Sequence, residues 1–135
     1  ADPGPDATDM GWPITPDGLT DLLVGLKAAY PDLPPVYVTE NGVAWDDPLI
    51  DGAVHDPRRI AYLDAHLRAV HAAIAAGVDV RGYFQWSLMD NFEWSHGHAM
   101  RFGIVHIDYD TLVRTPRDSA WWYRDVIARN GLAGG

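Results

Sequence analysis

Two stretches of this sequence, Val36–Thr39 (VYVT) and Val80–Leu88 (VRGYFQWSL), have the β-branched and aromatic make-up of strands covered on both faces, and a helix separates them. That arrangement narrows the folds open to the chain, because buried strands joined through helices form parallel βαβ units with right-handed crossovers. The helices are legible from their ends. Thr15-Pro16-Asp17 supplies an N-cap, a first-turn proline and a first-turn acid, and Leu19, Leu22, Leu23, Leu26, Ala29 and Tyr30 follow at helical spacing until Pro31, Pro34 and Pro35 stop them. Asp56-Pro57 opens a second helix whose stripe of Ile60, Leu63, Leu67, Val70 and Ile74 runs to a capping Gly77. A long loop, Met89–Met100, leads to a third extended segment, Phe102–Ile107. Thr115-Pro116-Arg117-Asp118 then starts a last helix that carries Trp121, Trp122, Val126 and Ile127 and closes near Gly131. Ala1–Ile14, rich in Pro, Gly and Asp, reads as irregular chain, and residues 1–135 read as one segment without repeats beyond the βα unit.

Two such strands cannot bury both of their faces and both of their edges, so the chain either associates or is a piece of something larger. Polar residues stand just past the strand ends, which suggests an α/β slice of a (β/α)8 barrel, with chemistry at the C-terminal rim of the strands. Composition agrees with a globular segment: 47% of the 135 residues are hydrophobic and 11% aromatic, too many for a disordered tail. With 10 Lys and Arg against 19 Asp and Glu, the net charge of -9 would repel nucleic acid and anionic membrane alike. The absence of cysteine excludes disulfides and thiolate metal sites and fits a cytoplasmic setting. ADPGPDATDM lacks a basic segment followed by an apolar one, and no apolar run approaches the ~20 residues that span a bilayer, so neither a signal peptide nor a membrane anchor is expected.

The sequence contains only two glutamates, Glu40 and Glu93, and each falls just beyond one of the two strands, among Trp45, Trp86 and Trp94. Indole faces stack on the C–H faces of sugars, their N–H groups donate hydrogen bonds, and carboxylates accept from hydroxyls. The mixture suits a neutral polyol.

TENG at Thr39–Gly42, GYFQWSLMDNFEW at Gly82–Trp94 and RFGIVHIDYDTLVRTPRDSAWWYRDVI at Arg101–Ile127 together resemble the C-terminal part of glycoside hydrolase family 1, the β-glucosidases. MGWPITPDGL at Met10–Leu19 is similar to that family's approach to its seventh barrel strand, so the resemblance covers nearly the whole chain. It implies about the last two βα units of the barrel, incomplete as a barrel on their own. It also implies a hydrolase that removes terminal non-reducing β-D-glucosyl or related residues, as in cellulose degradation, without a cofactor. By position, Glu40 matches the catalytic nucleophile of a retaining glycosidase, which forms a covalent glycosyl-enzyme. Trp86 matches the platform beneath the glycone, Glu93 the acceptor from sugar hydroxyls remote from the reacting carbon, Trp94 a neighbouring indole donor and Phe102 an aromatic wall. Glu93 favours an unphosphorylated sugar, since family members that take phosphorylated sugars lack that carboxylate. The family draws its acid/base carboxylate from an Asn-Glu-Pro motif on the fourth strand. This sequence has no such motif, so the resemblance implies as partners a β-glycoside substrate and the missing N-terminal part of the barrel, and an isolated chain without activity.

Other residues receive plainer readings. Trp121 and Trp122 are expected in the core, whereas Trp12 and Trp45 fit either core or site. His96 and His98 read as loop residues rather than metal ligands, and His66 and His71 fall on the polar sides of the second helix. Asp46, Asp47 and Asp51 are expected on a solvated surface, and Asp90 and Asn91 are expected to hold their loop. Two further functional readings remain beside the enzyme segment: a non-catalytic carbohydrate-binding fragment and an assembly module whose exposed strand edges bind other chains.

Overall fold

A computed structural model describes residues 7–133; the reading of Ala1–Asp6 as irregular chain lies outside the described residues. The elements in order are α1 (Pro16–Ala29), β1 (Val36–Asn41), β2 (Leu49–Ile50), β3 (Ala53–Val54), α2 (Pro57–Ala75), β4 (Val80–Gln85), a 3-10 turn (Trp94–His96), β5 (Val105–Ile107), β6 (Arg114–Pro116) and α3 (Asp118–Arg129). The strands expected from composition, β1 and β4, pair in parallel with Tyr37 opposite Gly82 and Val38 opposite Tyr83, and α2 is their crossover. The other strands form two small antiparallel pairs, β2 with β3 and β5 with β6, so the described residues contain no closed sheet.

Helices cover one face of the β1–β4 pair only. At its base, Leu23 of α1, Ala73 of α2 and Val78 form a buried cluster against which Leu19, Val24, Val36 and Val80 pack. On the opposite face Tyr37 and Phe84 remain 53% and 56% exposed, where strands buried on both sides were expected. This uncovered surface is the face that the interior of a closed barrel would bury.

Several local expectations need correction. The second strand ends at Gln85 rather than Leu88, because the chain leaves β1 there and runs beside Phe102–Val105. Ser87 N donates to Phe102 O (3.2 Å), Ile104 N to Ser87 O (2.9 Å) and Asp90 N to Val105 O (3.0 Å); the Trp86–Ser87 peptide is cis. Thr115 and Pro116 lie in β6, paired with His106 and Val105, and α3 begins only at Asp118. Asp56 stands at the N-cap of α2 but does not cap it. Its buried carboxylate instead accepts from Ser119 N (2.8 Å) and Ser119 Oγ (2.5 Å), which ties α2 to the start of α3. Gly77 does end α2 in the left-handed region at φ +94°, its N–H bonding to Ile74 O.

His66 is 5% exposed and stacked on Tyr62 at 3.9 Å, not on a polar side of the helix, and burial pushes its pKa down. His71 is exposed as expected. Asp47 is buried beside Arg59 (2.9 Å) and Arg58 (3.3 Å), while Asp46 and Asp51 are exposed. Trp121 is half exposed beneath the Arg124 guanidinium, because α3 turns Ser119 and Val126 inward and leaves Trp121 on the other side.

Candidate active site

A register irregularity between Val38 and Asn41 interrupts the alternation at the end of β1 and decides where Glu40 points. Its neighbour Asn41 is held among half-buried tyrosines: Tyr83 Oη donates to Asn41 Oδ1 (2.7 Å), and Asn41 Nδ2 donates to Tyr62 Oη (3.3 Å). Tyr62 Oη in turn donates to Gly42 O (3.0 Å), and Tyr123 Oη donates to Tyr83 O (3.1 Å). Burial raises the pKa of both Tyr62 and Tyr83, so these hydroxyls stay protonated and remain donors. With Asn41 fixed in this network, Glu40 projects to the other side of the strand, where it is exposed.

Glu93 reaches the same rim from the loop that follows β4. Asn91 Nδ2 donates to Glu93 Oε2 (3.0 Å), and the Asn91 carbonyl accepts from Tyr109 Oη (3.2 Å). The anchor of the loop is Asp90. Its buried carboxylate accepts from Gly103 N (3.0 Å), Ile107 N (3.2 Å), Arg101 Nη1 (3.0 Å) and Arg117 Nη1 (3.0 Å). Burial alone would raise the Asp90 pKa. The ion pair with Arg117, helped by the Ile107 N–H and Arg101, outweighs it and holds the carboxyl below the usual carboxylate range. The expectation that Asp90 and Asn91 hold this loop is therefore met. His98 sits between the rings of Phe92 (5.3 Å) and Tyr109 (4.1 Å), also within the loop.

The two sides meet in an open groove of about 620 Å³ lined by Trp12, Glu40, Asn41, Gly42, Tyr62, Trp86, Glu93, Trp94 and Phe102. All five residues singled out in the sequence lie along it. Phe102 is a buried wall, Trp86 is partly open and Trp94 stands at the tip of the 3-10 turn, 84% exposed. Close backbone approach sets the spacing. Trp86 N donates to Asn41 O (3.0 Å), and a Cβ on Gly42 would lie 1.6 Å from Trp86 O, so the strand ends touch only because that residue is glycine. A Cβ on Gly103 would likewise lie 2.1 Å from Asp90 N.

Trp12 and Tyr62 are groove residues that sequence reasoning left out or undecided. Trp12 tilts against Phe102 at 6.2 Å. Trp45 belongs to the interior, edge-on to Tyr62 at 6.1 Å with Arg58 over its ring. Tyr62 falls off the apolar stripe of α2, and only that anomaly marks it in the sequence. Among the described residues no helix is long and apolar enough to cross a membrane.

A parallel βα pair with one uncovered face and an open groove at its rim is a segment of a larger α/β fold, and comparison with known proteins gives the family. Glycosyl hydrolase family 1 matches residues 1–132, and the chain belongs to it. It is 57% identical over 125 residues to thermostable beta-glucosidase B of Thermobispora bispora, covering 92% of this chain and 26% of that protein. It is 52% identical over 126 residues to the 1,4-beta-D-glucan glucohydrolase of Thermotoga neapolitana, covering 93% of this chain and 28% of that one. The solved structure of beta-glucosidase from Thermotoga maritima in complex with glucoimidazole superposes with a TM-score of 0.91 at 50% identity, over 93% of this chain and 29% of that chain. The chain thus spans a little over a quarter of the relatives it matches, and it shares the fold of part of their barrel.

Proposed function

We propose that this chain is the nucleophile-bearing C-terminal segment of a retaining β-glucosidase that removes terminal β-D-glucosyl or related residues from neutral glycosides. The observation that carries the reading is that Glu40, at the end of β1, and Glu93, in the loop after β4, open onto one groove with Trp86, Trp94 and Phe102. Glu40 attacks the anomeric carbon while the leaving oxygen takes a proton from a second carboxyl group. The resulting glycosyl ester is then hydrolysed by water deprotonated by that same group, with net retention. Such a pair stands about 5 Å apart. The second carboxyl comes from the part of the barrel outside this chain, where relatives of three to four times its length have their remaining strands. Glu93, bonded to Asn91 in a loop of sugar-facing indoles, accepts from glycone hydroxyls rather than serving as the acid. Trp86 and Trp94 supply stacking and N–H donation, and Phe102 closes the wall. Residues 1–135 act as one segment of that domain, and alone they do not turn over.

The test is a chimera in which this chain completes the N-terminal remainder of the Thermotoga maritima relative. A 2-deoxy-2-fluoro β-glucoside with a good leaving group should accumulate as an ester on the peptide that contains Glu40, and Glu40→Gln should abolish both labelling and turnover. A label on Glu93, or inverted product, would refute the assignment. Sugar binding without turnover in the complete chimera would favour the non-catalytic reading instead.

A further inference from the structure

Arg59 is, with Arg117, one of the two largest fully buried side chains described, and it sits in the first turn of α2, away from the groove lining. Its guanidinium reaches two separate rim segments. On one side Nη1 donates to Val43 O and Nη2 to Trp45 O (3.0 Å), both in the loop that leaves β1 directly after Glu40. On the other, Nη2 donates to Arg101 O (3.1 Å) and Nη1 lies 3.5 Å from Phe102 O, in the segment that forms the groove wall. Trp45 N also donates to Arg101 O (3.2 Å), so the two segments touch where the guanidinium spans them. Asp47 (2.9 Å from Nη2) and Asp56 (3.2 Å from Nε) balance the charge. A buried cation is costly to keep, and a methionine or leucine of similar volume would fill the space without that cost. What an apolar residue could not do is hold carbonyls of two loops in one rigid plane. A lysine, with one compact ammonium, could not serve both sides at once.

We propose that Arg59 is a positioning residue that couples the two halves of the groove, keeping the loop behind Glu40 in register with the Phe102 segment, which Asp90 in turn ties to the Glu93 loop. The Asp90 link is direct, since Gly103 N and Ile107 N donate to the carboxylate that anchors the Asn91–Glu93 turn. Sugar contacts made at Glu93 are thereby transmitted as alignment of Glu40 with the anomeric carbon. The inference rests on the reading of Glu40 as nucleophile and Glu93 as glycone ligand.

The test is a double-mutant cycle in the chimera described above, with kcat and KM measured on an aryl β-glucoside and folding followed by thermal melting and near-ultraviolet circular dichroism. Arg59→Lys should lower kcat by roughly thirtyfold or more with a smaller change in KM. In that background Glu93→Ala, which costs several hundredfold in kcat/KM in the parent chimera, should cost about tenfold or less, because the energy of the Glu93 contact no longer reaches the nucleophile. Additive losses, or a lowered melting temperature with unchanged kinetics of the folded protein, would show Arg59 to be structural only and overturn the proposal. Should Arg59→Lys not fold, Asp47→Asn carries the same cycle: partial loss of coupling supports the proposal, and full additivity overturns it. Fluoro-glucoside labelling of the unmutated chimera separates the two layers. A label away from Glu40 removes the functional reading, and a label on Glu40 with additive losses removes only the role of Arg59.

Discussion

Replacing Gly42 by alanine adds one methyl group at the tightest point of the groove. The added Cβ would lie 1.6 Å from Trp86 O, 2.7 Å from Trp86 C and 3.1 Å from Gln85 Nε2. The first two neighbours are backbone, so no rotamer change relieves them. Contact at the 3.0 Å that real Cβ atoms respect requires the β1 and β4 strand ends to part by more than an ångström, and Glu40 and Trp86 flank that point. Overpacking of this kind costs about 1–3 kcal/mol in stability, and misplacing reacting groups by about 1 Å costs about a hundredfold in rate. In the chimera, Gly42→Ala should therefore lower kcat/KM on an aryl β-glucoside by about a hundredfold or more while the melting temperature falls by several degrees. Gly25→Ala is the control. Gly25 is an exposed position in α1 with nothing within 4 Å of an added Cβ, so that variant should gain about 0.5–1 kcal/mol and keep its activity. A Gly42→Ala protein with parent-like kcat/KM would refute the argument that the contact between the strand ends sets the site.

Glu93→Ala in the chimera should reduce kcat/KM several hundredfold, about 3 kcal/mol or more of transition-state stabilisation, with little change in melting temperature; a folded variant with parent kinetics would remove Glu93 from the glycone site. The chain alone should self-associate and bind a hydrophobic dye, since Tyr37 and Phe84 leave an apolar strand face uncovered; a monodisperse monomer with a sharp thermal transition would contradict this. Asp90→Asn should destabilise the chimera by about 3–5 kcal/mol near pH 7, because it leaves the Arg117 guanidinium buried without its counter-charge. The native pKa of Asp90 is depressed, so its contribution is complete above the unfolded value near 3.8 and is lost as pH falls through the lower native one; melting curves of parent and variant should converge only below about pH 4.

Patterns carried by single elements were legible in the sequence, whereas relations between distant elements were not. The parallel β1–β4 pair, the crossover α2 with its Gly77 stop and the placement of Glu40 and Glu93 at one rim all follow from strand composition, proline, glycine and helical period. Asp47 and Asp56 read as a surface acid and a helix cap because those are the local roles of aspartate after a turn and before proline. Their actual partners, Arg59 and Ser119, are fixed by how α2 meets the rim loops and α3. His66 differs: a polar residue beside an apolar stripe reads as exposed unless something covers it, and the Tyr62 ring one turn earlier on the same helix does. Thr115-Pro116 matches a helix start in isolation, yet its pairing with β5 delays α3 to Asp118. For Asp47, Asp56 and Thr115-Pro116 a non-local partner outweighed a sound local preference.

The uncovered face of β1 and β4 and the groove at their rim belong to one argument about where catalysis can occur. On the helix-covered face Arg59 and Arg117 are neutralised by aspartates, and the tyrosine network holds Asn41. On the other face Tyr37 and Phe84 have no covering layer, and the carboxylate of Glu40 meets no hydrogen-bond donor among the described residues. A nucleophilic carboxylate needs donors that keep it ionised and aimed, and a retaining reaction needs a second carboxyl opposite it. Both needs point to the side where the apolar surface is also exposed. On the proposed reading of Glu40 as nucleophile, the strands that would bury Tyr37 and Phe84 would also supply the acid and orient the nucleophile, so completing the fold would complete the mechanism.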